Sequence, residues 1–358
     1  MPEPLKNLYT RELIDSLSQE ISAFYREFDA DGFTEQVFGD LWHEKELKER
    51  MRHISESLHC FLPQKYAAAI EILINAGSQF KGFEYMFFPG FVELYGLEQY
   101  QESIAALEHF TKYSSSEFAV RPFIKKYQGK MIRQMETWAE SDNHHVRRLA
   151  SEGCRPRLPW AMALPDFKQD PSPILPILSK LKNDQSEYVR RSVANNLNDI
   201  SKDNPQVVIK IAHKWLGDSP QVDWVVKHGC RTLLKQGKPE IMALFEFAKP
   251  EHLKIYDFQM QKSVAMGDEL SFSFILKTQR SQLGKLRIEY GIDFVKKNGR
   301  RSRKVFKLSE AEVTGQEKLV QKSHSFRKIS TRKYYAGRHG VAIIVNGYEL
   351  ASKEFMLS

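Results

Sequence analysis

Asp142-Asn-His-His-Val146-Arg147-Arg148-Leu-Ala150 returns further along the chain as Asp184-Gln-Ser-Glu-Tyr188-Val189-Arg190-Arg191-Ser-Val-Ala194. A weaker copy runs Asp218-Ser-Pro-Gln-Val-Asp-Trp-Val-Val226-Lys227-His-Gly229. The anchoring valines are 43 and then 37 residues apart, close to the period of roughly 40 residues found in HEAT-type helical repeats. One helix pair cannot bury its apolar face alone. Stacked pairs bury a continuous core and leave a long concave face suited to an extended polymer. An Asp in the turn and an Arg opening the next helix are complementary, so the first arginine of each Val-Arg-Arg is expected to pair within the solenoid. The second, Arg148 or Arg191, is freer to face a ligand.

Upstream, the chain continues in the same helical texture. Leu13, Ile14, Leu17, Ile21, Phe24 and Phe28 recur at three- and four-residue spacing, as in an amphipathic helix. Tyr66, Ile70, Leu73 and Ile74 do the same, as do Ile104, Leu107 and Phe110. Asp31-Gly32, Phe61-Leu62-Pro63 and Phe88-Pro89-Gly90 read as breaks, with the aromatic run Phe87 to Phe91 in a core. The predicted helical part covers residues 1–250.

Downstream the period changes to two. Leu270-Ser-Phe272-Ser-Phe274-Ile-Leu276 and Leu286-Arg-Ile288-Glu-Tyr290-Gly-Ile292 alternate, and Asn298-Gly299 and Asn346-Gly347 are hairpin signals. About seven short strands over residues 257–358 predict a small β-sandwich. From Asp257 to Ser358 there are 20 Lys and Arg against 10 Asp and Glu, a net of +10, which leaves −2 for the rest of a chain of net charge +8. A field of that sign attracts polyanions, of which nucleic acid is the commonest inside cells. Six of the nine residues from Lys296 to Lys304 are basic. Arg327, Lys328, Arg332 and Lys333 form a second cluster beside Tyr334 and Tyr335.

Several classes are excluded. No apolar run approaches the ~18 residues of a membrane span, and the start reads as no secretory signal. The three cysteines are scattered, which favours reduced thiols in a cytoplasm. His43-Glu44 lacks the second histidine of a zinc-protease helix, and there is no phosphate-binding or dinucleotide glycine loop. Chemistry is therefore expected from ordinary side chains, with no metal and no cofactor.

Two segments stand out: Ser114-Ser-Ser-Glu117-Phe-Ala-Val-Arg121-Pro-Phe123 and Val146-Arg-Arg-Leu-Ala-Ser-Glu152-Gly-Cys-Arg155-Pro-Arg157-Leu-Pro-Trp160-Ala161. From position alone, Glu117 reads as a first-turn acid after serine N-caps. Glu152 reads equally as a salt bridge or a site residue, Trp160 as a plug between repeats, and Asp199 as a cap or loop residue. Together with Leu5 to Arg11 and Asn195-Asn-Leu-Asn-Asp199, however, these strings resemble the AlkC family of DNA-alkylation-repair glycosylases. AlkC belongs with AlkD in the HEAT-like repeat superfamily, and the resemblance runs over essentially the whole chain.

That resemblance implies a HEAT-like solenoid followed by an immunoglobulin-like domain. It also implies monofunctional excision of cationic 3-methyladenine, 3-methylcytosine and 1-methyladenine from duplex DNA. By it, Glu117, Glu152, Trp160 and Asp199 match the family's catalytic positions. A cationic base is already a good leaving group, so what helps is a carboxylate beside the sugar as it becomes an oxocarbenium ion. DNA contacts are expected from Arg121, Arg148, Arg155, Arg157 and Arg191, and from Lys296, Lys297, Arg300 and Arg301 on the hairpin. The partner is then alkylated double-stranded DNA, bound by a monomer whose basic sandwich closes around it. The competing reading is a non-catalytic HEAT scaffold for nucleic acid or protein.

Overall fold

A computed structural model describes residues 3–329 and 332–358. They form two compact units, Met1–Gly229 and Cys230–Ser358. The first contains α1 (Arg11–Phe24), α2 (Ala30–Val37), α3 (Leu47–Phe61), α4 (Tyr66–Gly77), α5 (Phe87–Tyr95), α6 (Tyr100–Phe110) and α7 (Val120–Lys126). It continues with α8 (Gln128–Trp138), α9 (His144–Gly153), α10 (Pro165–Gln169), α11 (Leu175–Leu181), α12 (Glu187–Asp203), α13 (Pro205–Trp215) and α14 (Pro220–Gly229). No helix among the described residues is long and apolar enough to cross a membrane.

The apolar stripes go inside. α1 buries Ile14, Leu17 and Ile21, and the Thr10 side chain caps it by accepting from the Leu13 amide. The helix stops at Phe24, which is exposed, while Phe28 is buried beyond it. Phe88-Pro89-Gly90 is not a break: it lies within the first two turns of α5, where Phe87, Phe88 and Phe91 are buried. Proline is tolerated there because the first-turn amides have no partner inside the helix.

The three sequence repeats become α9, α12 and α14, which stack side by side against α8, α11 and α13. Arg147 Nε and Nη2 donate to both carboxylate oxygens of Asp184 in the next repeat, at 2.6 and 3.0 Å. Its Nη1 also holds the carbonyls of Ser141 and Asp142, each at 2.9 Å. Arg190 does the same one repeat later, to the carbonyls of Asp184 and Gln185. Burial would raise the Asp184 carboxyl, but the Arg147 bonds outweigh it and hold it below its usual range.

The second unit starts earlier than the texture of the sequence suggests. It takes in α15 (Arg231–Lys235) and α16 (Pro239–Leu244), which the sequence reading placed with the helices. The reason is close packing. A side chain on Gly347 would lie 2.7 Å from the Gly237 Cα, and Asn346 Nδ2 donates to the Ala248 carbonyl at 2.9 Å. The eight strands are β1 (Leu253–Met260), β2 (Ser263–Val264), β3 (Glu269–Thr278), β4 (Gly284–Val295), β5 (Arg301–Val313), β6 (Glu317–Ser325), β7 (Gly337–Val345) and β8 (Tyr348–Leu357).

They make two sheets, ordered β1-β3-β6 and β2-β8-β7-β4-β5. Leu270, Phe272, Phe274 and Leu276 of β3 share one core with Leu286, Ile288, Tyr290 and Ile292 of β4. This is the expected sandwich. Asn346 and Gly347 both take positive φ, 48° and 82°, as a two-residue hairpin turn requires. At the other signal only Gly299 does. The β4–β5 hairpin is instead closed by a Lys296 to Arg300 backbone bond around three residues. The outer face of the larger sheet is laced with charge: Arg303 of β5 bonds Asp293 on β4 and reaches Glu349 on β8.

Candidate active site

The groups that the sequence singled out meet in the first unit as a chain of alternating charge. Glu117 precedes α7, where Ser115 Oγ donates to its carboxylate at 2.8 Å. Arg148, on α9, lies 2.7 Å from Glu117 Oε2 and 3.5 Å from Glu152 Oε1. Arg155 Nη1 donates to the same Glu152 oxygen at 2.6 Å, and its Nε to Asp199 Oδ2 at 2.8 Å. Lys202 closes the series 3.0 Å from Asp199 Oδ1. Helix period explains part of this, because Arg148 and Glu152 stand one turn apart on α9 and Asp199 and Lys202 one turn apart on α12. Glu152 and Asp199 are buried, and Glu117 is nearly so.

Burial opposes charge on both bridging arginines, yet each is held above its usual pKa because the flanking carboxylates more than compensate. Arg148 is further fixed by the Tyr188 ring, 4.5 Å from its guanidinium carbon. Glu117, Arg148 and Tyr188 line a cavity of about 290 Å³ together with His145 and Phe83. Burial, then the positive charges of His144 and Arg148, lower the His145 pKa and favour its neutral form.

Trp160 does not plug the solenoid. It is 60% exposed and adopts φ +64°, a left-handed conformation that is costly for a bulky residue and that surrounding bonds must impose. Lys48 Nζ donates to its carbonyl at 2.6 Å, and Arg121 donates to the Met162 carbonyl at 2.7 Å and the Gly153 carbonyl at 2.8 Å. The Trp160 ring meets Phe83 edge-on with centroids 6.5 Å apart, so Phe83 links it to the cavity that holds Glu117.

Five arginine expectations change. Arg121 is fully buried, with burial depressing its pKa to about 10; it staples the loop after α9 and has no surface with which to meet DNA. Arg148 and Arg155 spend their charge on carboxylates within the fold. Arg157 is held by both oxygens of Asp203, at 2.8 and 2.6 Å. Arg191 is exposed but paired with Glu187 one turn away. Asp199 is neither cap nor loop; it sits inside α12. In the second unit Lys296, Lys297 and Arg300 are exposed with no ion pair among the described residues, whereas Arg301 is bonded to Glu354 at 2.7 Å.

Sequence reasoning missed Ser115, Tyr188, His145 and Lys48. The repeat alignment held a signal for two of them: His145 and Tyr188 each precede the anchoring valine of their repeat.

Residues 91–215, which carry all of this network, match the family described as DNA alkylation repair enzyme. Residues 254–358 match the C-terminal Ig-like domain described for the uncharacterised protein YhaZ. A solved structure of the Pseudomonas fluorescens alkylpurine DNA glycosylase AlkC, bound to DNA containing an abasic-site analogue, superposes with a TM-score of 0.94. It is 36% identical and covers 99% of this chain and 100% of its own. The chain belongs to the AlkC family. Another relative is the uncharacterised protein YhaZ of Bacillus subtilis strain 168, 47% identical over 355 residues and 99% of each chain. Within this AlkC-family fold, the alternating carboxylate–guanidinium chain ties α9 and its following loop to α12 and to the segment before α7.

Proposed function

We propose that this AlkC-family chain is a monofunctional DNA glycosylase that removes cationic N-alkylated bases, 3-methyladenine, 3-methylcytosine and 1-methyladenine, from duplex DNA. The observation that carries the reading is the Glu117–Arg148–Glu152–Arg155–Asp199 network beside a cavity and an exposed tryptophan. The N-glycosidic bond breaks with its electron pair going to the ring nitrogen, so the cationic base leaves neutral. The sugar becomes an oxocarbenium ion, and water adds at C1′ and loses a proton.

In this reading Glu117 and Glu152 stabilise the developing positive charge, and Asp199 supports Glu152 through Arg155. Trp160 offers a π face to the cation. Fixed carboxylates need no reorganisation as the charge develops, which is where electrostatic catalysis is most effective. Among the described residues no lysine pairs with Glu117 or Glu152, and Lys202 is held by Asp199 at 3.0 Å, which supports hydrolysis over Schiff-base lyase chemistry. Lys296, Lys297 and Arg300 are the proposed phosphate contacts of the second unit, and a monomer suffices for all of these roles.

The test is incubation with methylated DNA while free methylated bases are followed by chromatography. Release is expected at unbroken strands. No release, or release accompanied by a borohydride-trappable enzyme–DNA adduct, overturns the reading in whole or in its monofunctional part.

A further inference from the structure

Leu158-Pro159-Trp160-Ala161 closes on itself, because the Ala161 amide donates to the Leu158 carbonyl at 3.4 Å. Proline stands second and a residue of positive φ third. That is the pattern of a type II turn, whose third position ordinarily takes glycine because a side chain is strained there. Here it carries tryptophan, and the ring is exposed, so burial does not offset the strain. A strained backbone persists only where its surroundings over-determine it. Packing of the indole does not supply that hold.

The hold comes from α3. Lys48 Nζ donates to the Trp160 carbonyl at 2.6 Å from 112 residues away, and no other hydrogen bond to Trp160 is formed among the described residues. The same ammonium stands 5.4 Å from the centre of the Phe118 ring, the residue after Glu117. A cavity of about 340 Å³, lined by Lys48, Phe118, Ala161 and Met162, adjoins the turn. Open space therefore backs the residues that follow Trp160. Arg121 fixes the Met162 carbonyl two residues beyond the tip and leaves the Trp160–Ala161 peptide to Lys48. A hydrogen bond from a charged donor is about twice as strong as a neutral one, which makes it comparable with the cost of one left-handed residue.

We infer that Lys48 is a positioning residue for the glycosylase reaction. It locks the left-handed backbone of Trp160 and so fixes where the indole stands beside the reacting sugar, and its place over Phe118 sets that position relative to Glu117. The inference rests on the glycosylase reading above, and in it Lys48 acts through Trp160 alone.

The experiment pairs single-turnover base release from methylated DNA with fluorine NMR spectra of the full chain carrying fluorotryptophan, in which Trp160→Phe identifies the Trp160 resonance. Lys48 is exposed, so Lys48→Met is expected to fold. It shifts or broadens the Trp160 resonance and slows release about tenfold, with DNA affinity within twofold of wild type. Lys48→Arg, which keeps a charged donor, restores both. Beside Trp160→Ala, Lys48→Met changes the rate less than twofold, since what it positions is gone. An unmoved resonance overturns the proposal, as does a slowing that persists in full beside Trp160→Ala. A loss that appears in affinity, with a salt slope lower by about 1, marks a phosphate contact and overturns it too. No base release by the wild type overturns the glycosylase reading and with it the purpose of the clamp. Release by the wild type with an unmoved resonance overturns the clamp alone.

Discussion

Replacing Glu152 with glutamine separates chemistry from architecture. A carboxylate ~4 Å from a unit positive charge at an effective dielectric near 20 contributes about 4 kcal/mol. Only the part gained between ground and transition state lowers the barrier, and Arg155 at 2.6 Å and Arg148 at 3.5 Å already draw on the same oxygen. A loss of about 10²–10³ in single-turnover rate follows. The cost to stability is small by comparison. Arg155 keeps Asp199 at 2.8 Å, Arg148 keeps Glu117 at 2.7 Å, and the amide oxygen still accepts from Arg155. Neither cation is orphaned, so about 1–2 kcal/mol is expected from the weakened bonds. The assay is release of free methylated bases with enzyme in excess over DNA, paired with urea denaturation and DNA binding by fluorescence anisotropy. A rate within twofold of wild type in a folded, DNA-binding variant would refute a catalytic role for this carboxylate.

Three other outcomes are expected. Alanine at Lys296, Lys297 and Arg300 together weakens DNA binding and lowers the slope of log affinity against log salt by up to about 3, at roughly 0.9 per phosphate contact; an unchanged slope rejects the hairpin as a DNA contact. Arg121→Met leaves the Gly153 and Met162 carbonyls without their donor and costs about 2–4 kcal/mol in denaturant melts, with Trp160 fluorescence reporting a loosened loop; native-like stability would show that the staple is dispensable. His324 is buried against Tyr290 and held near pKa 4 by burial and by Arg332, Lys322 and Lys304. The unfolded chain therefore takes up a proton below about pH 6.5 that the folded chain refuses. Stability falls as pH drops from about 6.5 to 4, by about 3 kcal/mol, and His324→Phe flattens that slope; an identical slope in the variant locates the effect elsewhere.

The helical repeats were legible because the first two copies carry the same local signals, Asp in the turn and Val-Arg near the helix start, the third keeps the Asp and the Val, and those signals act over short range. The strands were legible for the same reason. The fate of each arginine was not. Whether Arg121 or Arg155 faces water depends on carbonyls and carboxylates brought in from 32 to 44 residues away, and no spacing rule encodes that. The cavity escaped notice because its walls combine Phe83, Glu117 and Tyr188 from separate elements. The start of the second unit escaped because α15 and α16 look helical wherever they pack. The two glutamates that the sequence singled out lie on either side of one guanidinium, that of Arg148, which the sequence reading had assigned to the DNA.

Solenoids ordinarily tolerate gain or loss of a whole repeat, since each unit touches only its neighbours. The chain of alternating charge removes that freedom here. Its members come from the segment before α7, from α9 and its following loop, and from α12, so three successive layers share one set of bonds. Sliding α12 by a single turn, about 5.4 Å, would part Asp199 from Arg155 and leave the buried Asp199 to Lys202 alone and Arg155 to Glu152 alone. The middle of the array is thereby fixed in length and phase, and variation in repeat number is confined to its ends.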